Sequence, residues 1–146
     1  MNATAERLRK ILERVPARLR TIPDAEGEAP LAPGKWSRKQ ILGHLIDSAA
    51  NNHQRFVRSQ LISPLSFPGY EQDEWVRAQQ YQTEPWADLL GLWNSYNLHL
   101  VHVFENIPEE KWEHRCILGD QEPVTLEFLA NDYVRHLEHH LSQILE

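Results

Sequence analysis

Residues 125–145 read TLEFLANDYVRHLEHHLSQIL, and their spacing is that of an amphipathic helix opened by Thr125 as N-cap. Stepped at roughly 100° per residue, Leu126, Leu129, Ala130, Tyr133, Val134, Leu137, Leu141 and Ile144 fill one arc. Arg135, Glu138 and Ser142 point the other way. His140 falls inside the edge of the apolar arc and His136 at its rim. The two lie one turn apart, so both imidazoles project from the same side. Neutral imidazole is the commonest metal ligand, and such a pair can clamp a divalent ion. In a chain with eight histidines, the same spacing also describes two surface or packed histidines. The metalloprotease pattern HExxH is absent, because position 137 is Leu and Glu138 faces away. His139 is a rival partner for His136, but it lies farther into the polar side.

Working outward, the rest of the chain supplies partners for this helix. Ala5 to about Arg20 predicts a first helix through Leu8, Ile11, Leu12, Val15 and Leu19, with Pro16 expected to kink or end it. Residues 22–35 carry Pro23, Gly27, Pro30, Pro33 and Gly34 and read as a long connector. Ser37-Arg38-Lys39-Gln40 fits a capping box that opens a second helix running to about Leu61, with Trp36 and Ile41 placed to staple its entry. Its apolar arc is Ile41, Leu42, Leu45, Ala49 and Phe56. Residues 64–81 form a loop region with a short helical turn near Asp73–Ala78. There Tyr70, Trp75 and Tyr81 either cover the core or line a pocket. Pro85 sits at a first-turn position of a third helix ending near Asn106, with Leu89, Trp93, Tyr96, Leu100, Val103 and Phe104 as its core stripe. Residues 107–112 suggest a one-turn helix, and residues 113–124 read as irregular, with a turn at Gly119-Asp120. No strand-type alternation is sustained. The expectation is an all-α chain, a four-helix bundle with long connections after the first and third helices, in a single domain over residues 1–146. Those long links allow a crossover topology.

Composition narrows the function. The chain has 146 residues, is 41% hydrophobic and carries a formal net charge of −6. Without a basic run or basic–aromatic stripe, nucleic-acid binding is not expected. No apolar run approaches a membrane span, and the N-terminus lacks a signal peptide's apolar core, so a cytoplasmic home is expected. The single cysteine, Cys116, rules out an internal disulfide. Its neighbours His114 and Arg115 would lower its pKa if they lay close in space.

A metal pair on the last helix needs a third ligand, and periodicity offers two. His44 lies outside the second helix's apolar arc, beside Gln40, Asp47, Asn51 and Arg55, where a solvated histidine is the simplest expectation. His53 lies near the arc's far edge. The two are half a rotation apart and cannot serve one site, and phase alone leans to His53. Asp47, one turn after His44, is either a support for a ligand or an exposed carboxylate. His99 and His102 on the third helix read as core-flanking or surface residues.

Three stretches carry a resemblance: KWSRKQILGHLIDSAANNHQRFVRSQL, YEQDEWVRAQQY and VTLEFLANDYVRHLEHHLSQI. Together they resemble the DinB-like superfamily in its YfiT-like branch of metal-binding four-helix bundles. The shared pattern is a Trp at the start of the second helix (Trp36), a His followed three residues later by Asp (His44, Asp47), and a closing HxxxH (His136, His140). The resemblance implies a metal site made by His44, His136 and His140, against the phase argument for His53. It also implies a metal-dependent hydrolase, or an S-transferase using low-molecular-weight thiols such as bacillithiol or mycothiol. Three neutral histidines leave a divalent ion its charge and an open position, the pattern of a catalytic site. They suit Zn, Ni or Fe. The sequence nominates Asp47 and Tyr133 as catalytic, with Asn51 beside them in phase. It also predicts a small-molecule substrate and allows a homodimer through exposed helix faces. The alternative is a non-catalytic small-molecule-binding or interaction bundle whose metal site is structural or vestigial.

Overall fold

The structure, a computed structural model, describes residues 3–146. Four long helices dominate it: α1 (Ala3–Leu19), α3 (Arg38–Leu61), α5 (Trp86–Glu105) and α6 (Leu126–Leu145), with the short α2 (Asp24–Glu28) and α4 (Gln72–Gln79) in the connections. The main partners of α1 are α5 and α6, and those of α3 are likewise α5 and α6. Helices consecutive along the bundle, α1 with α3 and α5 with α6, therefore sit across a diagonal. This is the crossover arrangement that the two long links permit.

Local chemistry explains the helix ends. The Ser37 hydroxyl accepts from Gln40 N at 3.2 Å while Ser37 N donates to Gln40 Oε1 at 2.9 Å, so the capping box forms in full. Thr125 caps α6 by accepting from Phe128 N at 3.1 Å. Pro16 neither ends α1 nor stops its hydrogen bonding, since the helix runs three residues further and Arg20 N reaches the Pro16 carbonyl at 3.0 Å. The expected featureless connector holds α2, because its acids have a buried partner. Lys39, 1% exposed on α3, places Nζ 3.0 Å from Asp24 and 3.6 Å from Glu28.

Two regions expected to be irregular form a small sheet beside the bundle. Strand β1 (Leu65–Phe67) pairs in parallel with β2 (Arg115–Leu118), and β2 pairs antiparallel with β3 (Val124–Thr125). Strands of two to four residues are too short to display alternation. The sheet carries Cys116 into the core at 0% exposure, where burial raises the pKa of its thiol. The His114 ring, which would have lowered that pKa had it lain close, turns to the Ser59 carbonyl at 2.7 Å. Among the described residues, no helix is long and apolar enough to cross a membrane.

Candidate metal centre

Helix α3 is wrapped on nearly all sides, and every residue from 41 to 49 is buried. Its polar line of His44, Asp47, Asn51 and Arg55 therefore faces protein, with each residue 8% exposed or less. His44, expected on a solvated face, is only 1% exposed. The reason is that α3 has no free face at this level: α5 and α6 pack along it, α6 opposite His44, while α4, the turn holding Tyr81 and strand β1 close over the rest of the polar line.

Across from His44, α6 presents His136 and His140. The three rings supply nitrogens that all lie within 4.8 Å of one another. His44 Nε2 and His136 Nε2 are 3.2 Å apart. Ring centroids are 5.1 Å for His44–His136, 4.9 Å for His44–His140 and 4.5 Å for His136–His140. Two imidazoles bound to one tetrahedral ion at about 2.0–2.1 Å would hold their nitrogens about 3.3 Å apart, so the observed approach fits a shared divalent ion. The protonation states fit as well. Burial, then the neighbouring His136 and His140, hold the His44 pKa down at about 3. Burial, then His140, hold His136 at about 4. Burial also lowers His140, against its hydrogen bond to Gln143, which raises it. All three are thus neutral at physiological pH and able to ligate.

The surroundings orient these rings. His140 Nδ1 meets Gln143 Oε1 at 2.8 Å; an Nδ1–H donated there leaves Nε2 free as a ligand. Trp36 packs against His44 with centroids 5.1 Å apart. Asp47, which spacing alone left as either support or exposed carboxylate, is 2% exposed. Its Oδ1 accepts from Tyr81 OH and Gln79 Nε2, both at 2.7 Å, while Oδ2 is buried without a hydrogen-bond partner among the described residues. His44 Nδ1 is in the same condition. Burial raises the Asp47 pKa despite its two donors.

Two cavities reach the triad from different sides. One, of about 390 Å³, touches His140 and is walled by Leu31, Trp36, Ile41 and Gln143. The other, of about 140 Å³, touches His136 and is walled by Ser48, Asn52, Arg55 and Tyr70. Tyr133 also borders the smaller cavity, while its hydroxyl donates to Asn97 Oδ1 at 2.6 Å in the buried interior.

His53, His99, His102 and His114 stand apart from the triad, while His139 packs its ring against that of His140 at 5.2 Å without joining the cluster. His53, favoured by helical phase, bonds Tyr96 OH at 2.9 Å and packs against His99 at 5.2 Å. His99 stacks on His102 at an exposed surface of α5, and His139 is exposed. Sequence reasoning passed over Arg55 and Gln143. Arg55 had been visible on the polar line of His44 and Asp47, and Gln143 sits one turn beyond His139 on the closing helix.

The sequence profile described as the DinB superfamily matches residues 7–144. The chain is 25% identical over 142 residues to YfiT of Bacillus subtilis, named as a candidate metal-dependent hydrolase, across 94% of this chain and 80% of that one. The solved structure of YfiT, described as a four-helix bundle of unusual topology, superposes with a TM-score of 0.83 at 24% identity, covering 96% of this chain and 83% of YfiT. The mycothiol-dependent maleylpyruvate isomerase superposes with a TM-score of 0.77 at 15% identity, covering 97% of this chain and 59% of the isomerase. At these identities the two superpositions establish the fold.

Proposed function

The chain belongs to the DinB superfamily, and from that footing we propose that it is a divalent-metal-dependent enzyme acting on a small molecule, either a hydrolase or a low-molecular-weight thiol S-transferase. One observation carries the reading: three neutral imidazoles from α3 and α6 converge beneath two cavities rather than inside a sealed core. His44, His136 and His140 would hold the ion. A bound Zn, Ni or Fe ion would supply Lewis acidity, lowering the pKa of a water or thiol ligand. The metal-dependent name of YfiT supports the hydrolase reading, and the mycothiol dependence of the isomerase, a likeness of fold, prompts the thiol reading.

The chain's own residues would do the rest. Gln143 fixes the tautomer of His140. Trp36 shields the His44 ring from solvent. Asp47, raised in pKa and with Oδ2 unpartnered, is the candidate proton acceptor, held in place by Tyr81 and Gln79. Tyr133 borders the smaller cavity, and a proton-handling role for it requires its bond to Asn97 to open. Openness from two sides favours the enzyme over a structural or vestigial site in a non-catalytic bundle, which would be sealed.

The test is a paired screen of metal-loaded and metal-depleted protein against an ester panel and against thiol–electrophile pairs. Turnover is expected in one panel, lost on depletion and restored by metal. Asp47→Asn should lower kcat there by about a hundredfold or more if Asp47 handles the proton. Equal rates with and without metal in every active assay would defeat the proposal.

A further inference from the structure

Arg55 is a buried cation whose charge no carboxylate of the described residues balances. It is 8% exposed, and among the described residues no acidic side chain lies within ion-pair distance of it. Nη1 reaches Asn52 Oδ1 at 3.3 Å, and the guanidinium lies over the Phe67 ring at 5.4 Å. Nε is buried without a hydrogen-bond partner among the described residues. Leaving a charged donor in this state is costly, and buried charges are ordinarily paired. Arg55 nevertheless lines the cavity of about 140 Å³ that ends at His136. Around it stand neutral groups: Ser48, Asn52, Gln72 and Tyr70, whose phenol burial pushes up to about 12. The one acid on this wall, Asp132, is engaged by Arg135.

We propose that Arg55 anchors a carboxylate group of the substrate, inside the small cavity, with the reacting part of that substrate turned toward His136. The cavity is the size of a few heavy atoms, so it takes one end of a molecule rather than the whole. One cation among neutral donors matches a monoanion, and the planar guanidinium fork matches a carboxylate's two oxygens. Asn52 sets the orientation of the fork: its Nδ2 is committed to Ser48, to the carbonyl at 2.9 Å and to the hydroxyl at 3.2 Å, which turns Oδ1 toward Arg55. This inference names the substrate class of the enzyme proposed above and rests on that reading for the chemistry at His136. The binding itself does not need the metal.

Nuclear magnetic resonance can watch the anchor directly. The Arg55 Nε–H signal of ¹⁵N-labelled protein is assigned by its loss in Arg55→Lys, then followed during titration with butyrate and with its neutral isostere butyramide. Both titrations are run on metal-free and on metal-loaded protein. Butyrate is expected to shift the signal saturably in both forms, with butyramide at least about tenfold weaker. In Arg55→Met, the butyrate response read from the Tyr70 and His136 ring signals should weaken by about tenfold or more. A butyramide response equal to that of butyrate, an unchanged butyrate affinity in Arg55→Met, or tighter binding of inorganic phosphate than of butyrate would overturn the assignment. The wild-type titration decides the matter even if Arg55→Met does not fold. Metal content measured on the same samples keeps the two proposals apart: absent metal sinks the enzyme reading, while the metal-free titration judges Arg55 alone.

Discussion

Gly43 precedes the first histidine of the triad, and its missing side chain makes room for a neighbour. A Cβ built there would fall 2.1 Å from Tyr81 Cδ2. Tyr81 thus lies flat on α3 and delivers its hydroxyl to Asp47. Gly43→Ala should push Tyr81 off the helix and cost about 1–3 kcal/mol in denaturant unfolding, as overpacked cores do; a stability equal to wild type would mean that Tyr81 is not held as described. The histidines make a second prediction at this scale. In metal-depleted protein, His44 and His136 titrate near 3 and 4 when folded, against an ordinary value of 6.5. Across that interval the unfolded chain takes up protons that the folded chain refuses. Their stabilising contribution is therefore complete above about pH 6.5 and is lost as the pH falls toward the folded values. Thermal melts of depleted protein should show a Tm that declines below about pH 6.5, with a shallower decline in His44→Gln. A Tm independent of pH between about 7 and 5 would contradict the burial of these rings.

At the scale of elements, legibility followed length. The four long helices were readable because each shows several turns of periodicity and three carry recognisable starts at Ser37, Pro85 and Thr125. The sheet was not readable, since its strands borrow their definition from partners distant in sequence, as Leu65 does from Cys116. Helix α3 defeated phase reasoning for a different reason. Periodicity assumes one wet face, and α3 turns its polar line inward to build a site, so His44 reads as solvated while it is the more buried candidate. Only the resemblance to a known pattern selected it over His53. The start of α3 tests the local account. Ser37 closes the capping box and also donates to Gln82 Oε1 at 2.5 Å. Ser37→Ala should destabilise the protein by about 1–2 kcal/mol in chemical denaturation, the upper range for a lost cap. A change within about 0.5 kcal/mol would show that the cap is replaced by water.

At the scale of the whole molecule, the diagonal placement of successive helices is what assembles the centre. An up-and-down bundle makes neighbours of consecutive helices, whereas here the chain crosses over so that α3, ending at Leu61, and α6, beginning at Leu126, lie side by side. No local pattern reports that adjacency. The closing HxxxH and the early histidine were each legible, their meeting came only through the family resemblance, and the cavity that Arg55 and His136 both line was not legible at all. The central claim is that this adjacency makes one metal site from His44, His136 and His140. Metal-to-protein stoichiometry in wild type, His140→Ala and His53→Ala, each shown to be folded, tests it most directly. One divalent ion per chain is expected in wild type and in His53→Ala, with loss of that ion in His140→Ala. A His140→Ala protein that keeps its metal, or a His53→Ala protein that loses it, would contradict the claim.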